Sequence, residues 1–447
     1  MNSRRIGIVG GGAAGFFAAL ACGESQSGAE IFILEKTSRF LSKVKISGGG
    51  RCNVTHACFD GREFAARFPR GEQALIAPFK QFQARDTVAW FADRGVKLKT
   101  ESDGRMFPVT DSSQTIIDCL LGAAHQAGVK LLANCRVENV IKRADGRFEL
   151  TLIRNASASP LLPEERAAAR RPLTSNSLAP ILPPPGRGEV EEFTNEKILC
   201  DTILLATGGC RTPAMGQLAV SLGHTLEPPV PSLFTFHIET SWLRALAGVP
   251  VEMVEISVPK TKLHERGALL VTHWGLSGPV VLRLSAWGAR QLHGLNYSFP
   301  LHVNWLPLLN AEKLAAALEA RRKAQPAKLI VNSPLPPLPA RLWEQLVRAA
   351  GVSRETRWSA LSRSAQHRLV QQLRRTEFSV SGKSLNKEEF VTCGGIRLRE
   401  VNLKTMESRI CPGLFFAGEL LDVDGITGGY NFQAAWTTGW IAGRNMA

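Results

Sequence analysis

The stretch 6–36 constrains the fold of this chain more than any other part of the sequence. An apolar run at 6–9 leads into a turn with Gly10, Gly12 and Gly15. This is the G-x-G-x-x-G spacing of dinucleotide-binding βαβ units, in which the first glycine permits the tight turn and the second lets the backbone approach a pyrophosphate. The third glycine lets the following helix pack closely on the strand. The chain is therefore predicted to begin with a Rossmann-like unit.

The residues after the glycines complete this unit. A second apolar run, 31–34, ends in Glu35 and Lys36, and a carboxylate about twenty residues beyond the last glycine can accept hydrogen bonds from a ribose. Ala13 and Ala14 open the helix, whose unpaired N–H groups and partial positive charge favour phosphate. A secretory signal peptide is the alternative, which we reject because glycines interrupt the apolar run. The protein is therefore expected to be cytoplasmic.

Composition restricts the class of protein and its partners. The 447 residues suffice for two or three domains, and the absence of a run of eighteen apolar residues argues against a transmembrane segment. Nine cysteines without C-x-x-C spacing predict reduced thiols, with neither a disulfide framework nor a metal site. The formal net charge is +15 and the isoelectric point is about 9.7. This charge favours a polyanionic partner, nucleic acid before a membrane surface.

A second glycine-rich segment, 47–55, reads Ser-Gly-Gly-Gly-Arg-Cys-Asn-Val-Thr. The glycines, followed by Arg51 and Asn53, predict a loop with hydrogen-bond donors and no large side chain that would block a flat ligand. A flexible surface turn is the alternative. Cys52 is either a small buried residue or a reactive thiol whose thiolate form is favoured by Arg51, and both interpretations remain open.

Two later strands end in small residues that a cofactor could approach. The apolar run 198–205 is followed by Ala-Thr-Gly, and the run 414–416 is followed by Ala-Gly-Glu. Small residues after a buried strand let a ligand pass close to the backbone, and the acid can hold a hydroxyl group. The predicted cofactor contacts here are Ala206, Thr207, Gly208, Gly418 and Glu419.

The segment 422–431 ends in two glycines, after which a helix is predicted over 432–443. The N-terminus of that helix would meet the pyrimidine edge of a flavin and stabilise the anion that forms on reduction. The remaining predicted cofactor contacts are Asp422, Gly428, Gly429, Tyr430 and Asn431, together with Val137, which lies where such folds often touch the adenine.

The central part of the chain contains three segments that differ in composition and in the spacing of their apolar residues. Residues 154–190 are rich in proline and are predicted to be a disordered insert without a role in chemistry. Residues 211–305 contain short β-like runs separated by Gly and Pro, which predict a β-rich domain. Residues 306–381 show helical spacing of leucine and predict a small helical domain.

The predicted helical domain is strongly basic. Between 311 and 375 there are thirteen Lys and Arg against four Glu, a net charge of +9 out of the +15 of the whole chain. A one-signed helical module is typical of proteins that contact nucleic-acid phosphates. The predicted contacts are Arg321, Arg322 and Lys323. The alternative is a solvated helical face.

The chain resembles the BaiN/RdsA-type FAD-dependent flavoproteins. The resemblance rests on the N-terminal glycine motif, on 47–53, on Thr-His-Trp-Gly-Leu-Ser-Gly-Pro at 272–279, and on 404–408 continuing through 417–425 to 427–431. It implies an α/β fold with a discontinuous FAD-binding domain, a β-barrel-like insertion domain and a small helical domain. The corresponding ranges are 1–210 and 382–447, then 211–305, and 306–381. The chain departs from the family at 210–216, where a longer loop is usual, so the role of that loop is in doubt.

The resemblance also implies an activity. Members of the family bind FAD, with NAD(P)H as the reductant, and include a reductase that forms dihydrouridine in large-subunit ribosomal RNA. We therefore expect hydride transfer from reduced FAD to a C=C bond, with ribosomal RNA bound by the basic helical domain and Cys52, Tyr430 or His273 as the proton donor. A reductase or oxidase of a small unsaturated carbonyl or amine metabolite is one alternative. A non-enzymatic RNA-binding or redox-sensing flavoprotein is another. The oligomeric state and the docking site of NAD(P)H are not predicted.

Overall fold

The computed structural model describes most of the chain, namely residues 3–25, 28–155, 193–210, 213–384 and 391–446. The predicted insert at 154–190 lies outside the described residues, except for Arg154 and Asn155 at the end of a strand. No described helix is long and apolar enough to cross a lipid bilayer.

The described strands are β1 (Arg5–Val9), β2 (Glu30–Leu34), β3 (Thr55–His56), β4 (Leu98–Thr100), β5 (Arg105–Pro108), β6 (Lys130–Leu132), β7 (Cys135–Lys142), β8 (Phe148–Asn155), β9 (Phe193–Cys200), β10 (Thr202–Leu205), β11 (Leu226–Ser232), β12 (Thr235–Ile238), β13 (Pro250–Ser257), β14 (His264–Thr272), β15 (Gly275–Ser277), β16 (Phe299–Asn304), β17 (Thr376–Ser384), β18 (Val391–Ile396), β19 (Val401–Asn402), β20 (Glu407–Ser408) and β21 (Leu414–Phe416). The described helices are α1 (Ala13–Ser25), α2 (Ser42–Gly50), α3 (Gly61–Ala65), α4 (Glu72–Gln81), α5 (Ala84–Ala92), α6 (Ser113–Gln126), α7 (Pro213–Val220), α8 (Ser241–Arg244), α9 (Pro279–Trp287), α10 (Ala289–Gly294), α11 (Ala311–Ala324), α12 (Ala340–Ala349), α13 (Arg363–Arg374) and α14 (Tyr430–Met446).

The main sheet has the strand order β19-β20-β21-β10-β1-β2-β6. Its central strands run parallel: β1 pairs with β2 and β10, and β10 pairs with β21. These strands are nearly continuous apolar runs because both faces of a parallel sheet are covered by the rest of the fold. The predicted Rossmann-like domain is confirmed.

The C-terminal helix α14 returns to the first helix of the chain and packs against it. A Cβ atom on Gly439 would lie 2.3 Å from the carbonyl oxygen of Ala14, and one on Gly443 would lie 2.2 Å from that of Ala18. Such distances leave no room for a side chain, so the two glycines permit the close approach of the helices. The first and last segments of the chain therefore build one domain.

The second domain is a closed barrel with the strand order β12-β15-β14-β13-β16-β17. Its sixth strand comes after the helices α11 to α13, so residues 376–381, which the sequence analysis assigned to the helical domain, belong to the barrel instead. The reason is visible in the sequence, since buried Phe378 and Val380 alternate with exposed Glu377 and Ser379, which is the period of a strand.

The barrel and the helices α11 to α13 share one hydrophobic core, separate from the core of the Rossmann-like domain. Leucines at helical spacing fill it, as the sequence predicts. Three fully buried tryptophans also contribute, and each donates its indole N–H to a nearby oxygen, as buried indoles usually do. The bonds are Trp305 to Thr376 (2.6 Å), Trp343 to Ile330 (2.7 Å) and Trp358 to Ser333 (3.0 Å).

A buried ionic cluster joins the two domains. Arg70 donates from Nε to Oδ1 of the fully buried Asp424 (2.6 Å) and from Nη1 to the carbonyl oxygen of Ala286 (2.6 Å). Ser232 donates to Oδ2 of the same carboxylate (2.8 Å). Burial raises the pKa of Asp424, and the Arg70 guanidinium opposes that shift. Arg70 and Asp424 lie in the Rossmann-like domain, whereas Ala286 lies in a helix packed on the barrel.

Candidate functional site

The first glycine turn leaves an open space over its middle glycine. A Cβ atom on Gly10, where φ is +115°, would lie 2.3 Å from the carbonyl oxygen of Ala206, and one on Gly15 would lie 2.1 Å from that of Gly10. A Cβ on Gly12 would meet no atom of the described residues within 4 Å. Packing therefore requires two of the glycines, whereas the third leaves room for a ligand such as a pyrophosphate.

The carboxyl ends of three parallel strands bring the predicted contacts to one edge of the sheet. Gly10, Ala206 and Gly418 follow β1, β10 and β21, and ligands of open α/β sheets bind at this edge. Thr207 also lies here, with a buried Oγ1 that has no hydrogen-bond partner among the described residues. A buried hydroxyl is costly unless it is paired, so a cofactor with polar atoms fits this position. Ala13 and Ala14 begin the adjacent helix α1.

Glu35 is held at the end of β2 by three hydrogen bonds. Its Oε2 accepts from the backbone N–H of Gly11 (3.0 Å), and its Oε1 accepts from the N–H and the hydroxyl of Thr37 (2.9 and 2.8 Å). A carboxylate has about four acceptor positions, so acceptor capacity is left for the predicted hydrogen bond to a ribose. Lys36 is exposed, and Val137 is half-buried on β7.

Glu419 is tied to two residues that the sequence analysis did not select. Its carboxylate forms an ion pair with Lys43 and accepts from the backbone N–H of Thr392 (2.9 Å). A Cβ on Gly208 would lie 4.0 Å from the Lys43 ammonium nitrogen, so Lys43 is a cation beside the predicted cofactor contacts. No local sequence pattern marks it, because its partners come from distant strands.

The second glycine-rich segment interrupts α2 with three non-helical residues, Ser47, Gly48 and Gly49. A Cβ on Gly49 would meet no atom within 4 Å, which leaves open space over the loop. Arg51 lies 2.6 Å from Glu101 and stacks over the ring of Phe107, with 4.0 Å from the guanidinium carbon to the ring centroid. Its guanidinium is therefore held by protein groups beside the loop.

Cys52 is fully buried with φ at +63°. Burial raises the pKa of its thiol to about 12, and a hydrogen bond with Ser47 only partly opposes that shift. Cys52 is therefore a neutral thiol at pH 7, which contradicts the thiolate interpretation and leaves open a role as proton donor. Asn53, with its amide oriented to satisfy both groups, donates to the carbonyl of Thr55 (3.0 Å) and accepts from the N–H of Gly429 (2.9 Å).

Tyr430 begins α14, two residues before the predicted helix start. It is buried, with ring centroids 4.8 Å from both His56 and Phe64. Burial raises the pKa of the Tyr430 hydroxyl to about 12, so the group is neutral at pH 7 and can donate a proton. It therefore has the protonation state that its predicted role requires.

His56 is a second residue that sequence reasoning missed. Its Nδ1 lies 3.1 Å from the carbonyl oxygen of Gly428, and because a carbonyl only accepts, Nδ1 must donate. Burial lowers the pKa of His56. The only signal in the sequence is its position three residues after Asn53, a predicted contact.

The last two predicted cofactor residues differ in their pairing. Asn431 closes the loop before α14, since its side chain accepts from the N–H of Gly425 (2.8 Å) and donates to its carbonyl (2.9 Å). Asp422 has a buried Oδ1 without a hydrogen-bond partner among the described residues; the nearest cation, Arg290, is 3.7 Å away. Burial raises the pKa of Asp422.

The remaining predicted residues lie outside this cluster. His273 is exposed in the turn between β14 and β15, beside the exposed Trp274, and within the described chain it makes no hydrogen bond to the residues around Gly12. The predicted RNA contacts lie in the last turn of α11: Arg321 and Arg322 approach carbonyl oxygens of their own domain at 3.5 Å, whereas Lys323 is exposed. Their role remains a prediction.

Comparison with known protein families matches both domains. The model for the HI0933-like protein Rossmann domain matches residues 4–161, and the model for the HI0933-like protein barrel and H2TH domain matches residues 230–391. The chain belongs to the HI0933-like family. This result confirms the family resemblance and the fold class that the sequence predicts.

Three curated relatives span nearly the whole chain. A 3-dehydro-bile acid delta(4,6)-reductase from Clostridium scindens is 27% identical over 99% of this chain and 99% of its own length. The ribosomal RNA dihydrouridine synthase of Escherichia coli is 28% identical over 98% of this chain and 97% of its own length. The synthase of Haemophilus influenzae is 25% identical over 98% of both chains. Together with the site at the carboxyl ends of β1, β10 and β21, these similarities support the class predicted from the sequence, an FAD-dependent oxidoreductase.

Proposed function

We propose that this member of the HI0933-like family reduces a C=C bond conjugated to a carbonyl group, and that its substrate is uridine in large-subunit ribosomal RNA. The names of its relatives describe a bile-acid reductase and two dihydrouridine synthases. The observation that carries the RNA assignment is the charge of the helical domain. The proposal includes NAD(P)H as the reductant and places the protein in the cytoplasm, where ribosomes are found.

The site at the carboxyl ends of β1, β10 and β21 fits FAD, which supplies hydride chemistry when bound. The turn at Gly12 and the N-terminus of α1 offer room and N–H groups for the pyrophosphate. The hydroxyl of Thr207 lacks a partner among the described residues and is available to a polar cofactor atom. The N-terminus of α14 carries a partial positive charge that stabilises negative charge beside it.

The chain must also supply one proton to the substrate carbon that does not receive hydride. Tyr430 is our first choice as the donor, because its hydroxyl is neutral and lies at the start of α14. Cys52 is neutral but fully buried, and His273 lies in the barrel. These two remain the alternatives.

Most of the positive charge of the helical domain faces solvent. Among its described residues, two cations form ion pairs with carboxylates: Arg322 with Glu319 (3.8 Å) and Arg354 with Glu344 (3.3 Å). The exposed cations whose side chains form neither a hydrogen bond nor an ion pair within the described chain are Lys313, Lys323, Lys328, Arg348, Arg363 and Arg374. A surface with this excess of charge attracts phosphates and gives salt-dependent binding.

A small unsaturated carbonyl metabolite is the second candidate substrate. The bile-acid reductase is as similar to this chain as the RNA-modifying relatives are. That substrate, however, leaves the basic surface of the helical domain without a ligand.

The test combines two triple variants with the same change of charge. Arg321→Glu, Arg322→Glu and Lys323→Glu alter the helical domain, whereas Arg143→Glu, Arg147→Glu and Lys197→Glu alter the exposed surface of the β7–β9 sheet. We expect the first set to reduce the slope of log affinity for RNA against log salt by about 2, since each lost phosphate contact with single-stranded RNA removes about 0.7. Dihydrouridine formation should fall with it, while NAD(P)H oxidation without RNA should not change.

The control set should retain RNA binding and dihydrouridine formation. Dihydrouridine should also be missing at one position of ribosomal RNA from a strain that lacks the gene. If that RNA is unchanged and both triple variants behave alike, the small-metabolite reductase becomes the better proposal.

A further inference from the structure

A short hairpin lies at the cofactor edge of the main sheet, beyond β21. Its second strand, β20, runs antiparallel to β21, with Glu407 opposite Phe415. The N–H of Phe416 donates to the carbonyl oxygen of Met406 (3.0 Å). The hairpin turn, 403–406, therefore lies at the carboxyl end of β21, the sheet edge at which ligands of such folds bind.

Two adjacent cavities flank this hairpin. The larger has a volume of about 630 Å³ and the smaller about 420 Å³, and both are lined by Leu398 and Arg399. Ala74 and Ala77 of α4 give the larger cavity an apolar wall, together with Val401. Each volume lies in the range of about 300–1,000 Å³ that is typical of small-molecule sites.

The larger cavity is lined by three cations, Arg399, Lys404 and Arg409, and by no acidic residue of the described chain. Arg399 and Lys404 are exposed, and neither side chain forms a hydrogen bond or ion pair within the described residues. The neighbouring acids are engaged elsewhere. Glu400 accepts from the N–H of Thr225 (2.9 Å), and Glu407 accepts from that of Gly413 (2.8 Å).

Hydrogen bonds hold the backbone of this hairpin and the side chain of Arg409 in place. Gln81 of α4 donates to the carbonyl oxygen of Lys404 (3.1 Å), and Arg409 donates from Nε to that of Val401 (3.2 Å). Within the turn, the N–H of Thr405 donates to the carbonyl oxygen of Asn402 (3.0 Å). Because the backbone of this turn is held in place, less entropy is lost when an anion binds to the side chains that it carries.

The smaller cavity leads towards the proposed cofactor site. It is lined by Asp422, whose N–H donates to the carbonyl oxygen of Ile396 (3.0 Å). Asp422 lies three residues before Gly425, which Asn431 ties to the start of α14. Because Leu398 and Arg399 line both cavities, the cavities adjoin, and we treat them as one groove from the cations of the hairpin to Asp422.

We propose that this groove binds NADPH, with the adenosine 2′-phosphate against Arg399 and Lys404. An apolar wall beside two unpaired cations suits an adenosine that carries phosphates, and an arginine is the residue that Rossmann-type proteins place at the 2′-phosphate. The inference rests on the proposed function only in that it assigns a site to the reductant of the flavin. It assigns the groove independently of the RNA substrate.

The experiment measures binding and kinetics on the flavin-loaded protein. Calorimetry with adenosine 2′,5′-bisphosphate and with AMP should show that the wild type prefers the bisphosphate. The double variant Arg399→Glu/Lys404→Glu should bind it at least about 30-fold more weakly, because two charge-assisted contacts are lost. The matched control, Arg143→Glu/Arg147→Glu, has the same change of charge at exposed residues that do not line either cavity, and it should bind like the wild type.

Kinetics provide a second readout. The double variant should show a raised KM for NADPH, a smaller change with NADH, and an unchanged rate of flavin reduction by dithionite. If the double variant loses bisphosphate binding and no form of the protein modifies RNA, the groove assignment is supported and the RNA substrate is refuted. Equal binding of the bisphosphate by the double variant, or none by the wild type, would overturn the groove assignment. If the double variant loses affinity for RNA but still binds the bisphosphate, the assignment of the groove to NADPH is overturned in favour of RNA phosphate.

Discussion

His56 lies face to face with Tyr430, with 4.8 Å between the ring centroids and 24° between the ring planes. The same histidine donates from Nδ1 to the carbonyl oxygen of Gly428, across 3.1 Å. One side chain on β3 therefore fixes both the glycine turn before α14 and the first residue of that helix. Two measurable consequences follow from this arrangement, one for stability and one for its dependence on pH.

Replacing His56 by alanine should lower the free energy of unfolding by about 1–3 kcal/mol, since the Gly428 carbonyl loses its donor. His56→Asn retains an N–H donor near the same position and should recover part of the loss. Urea denaturation of the apoproteins measures the difference. Equal stability of the alanine variant and the wild type would contradict a structural role for this bond.

Burial lowers the pKa of His56 in the folded protein. Protonation therefore favours the unfolded chain, in which the histidine pKa is about 6.5. The contribution is fully present above about pH 6.5 and is lost as the pH falls through the lower folded-state value. His56→Asn should therefore show a shallower loss of unfolding free energy from pH 7 to pH 5 than the wild type. Identical slopes would show that His56 does not titrate in this range.

Two glycine substitutions separate cofactor binding from folding. Gly12→Glu places bulk and negative charge in the open space over the turn, so flavin absorbance should be lost while the apoprotein unfolds within about 0.5 kcal/mol of the wild type. Gly15→Ala puts a methyl group 2.1 Å from the carbonyl oxygen of Gly10 and should destabilise the apoprotein by about 1–3 kcal/mol. Full flavin absorbance in Gly12→Glu would refute the cofactor assignment.

The ionic cluster between the domains permits a test by paired substitution. Asp424→Ala leaves the buried guanidinium of Arg70 without its carboxylate and should cost about 3–5 kcal/mol. Replacing both residues, as Arg70→Met/Asp424→Leu, removes both charges and should recover part of that loss. Thermal unfolding of the three proteins measures the series. A double variant less stable than Asp424→Ala would show that the cluster's hydrogen bonds outweigh its desolvation.

Deleting 156–188 should leave flavin content and activity close to those of the wild type. The strands on either side pair directly, with Asn155 opposite Phe193, and four residues would remain to connect them, a length common in hairpins. Shortening the connection between two paired strands changes the closure entropy only slightly. Flavin absorbance and circular dichroism check the outcome, and loss of folding would show that the deleted segment packs against the domain.

The elements that could be predicted from the sequence alone are those that depend on local chain geometry. The spacing of Gly10, Gly12 and Gly15 defined the first βαβ unit, because the tight turn and the close helix require those positions. Apolar periodicity separated strands from helices, and thus predicted the Rossmann-like domain, the β-rich domain and the helical domain. The strand 376–384 was assigned incorrectly at its start, although the alternation of Phe378 and Val380 was present in the sequence.

Only the tertiary structure decided the surroundings of each functional side chain. Arg51 follows three glycines in a loop that was predicted to contact a ligand, but its side chain pairs with Glu101. Cys52 beside it is a neutral, buried thiol. Lys43 and His56 gain their roles from Glu419 and Tyr430, which lie near the other end of the chain. Protonation state and hydrogen-bond pairing depend on the charge and burial that distant elements supply, and no short stretch of sequence contains that information.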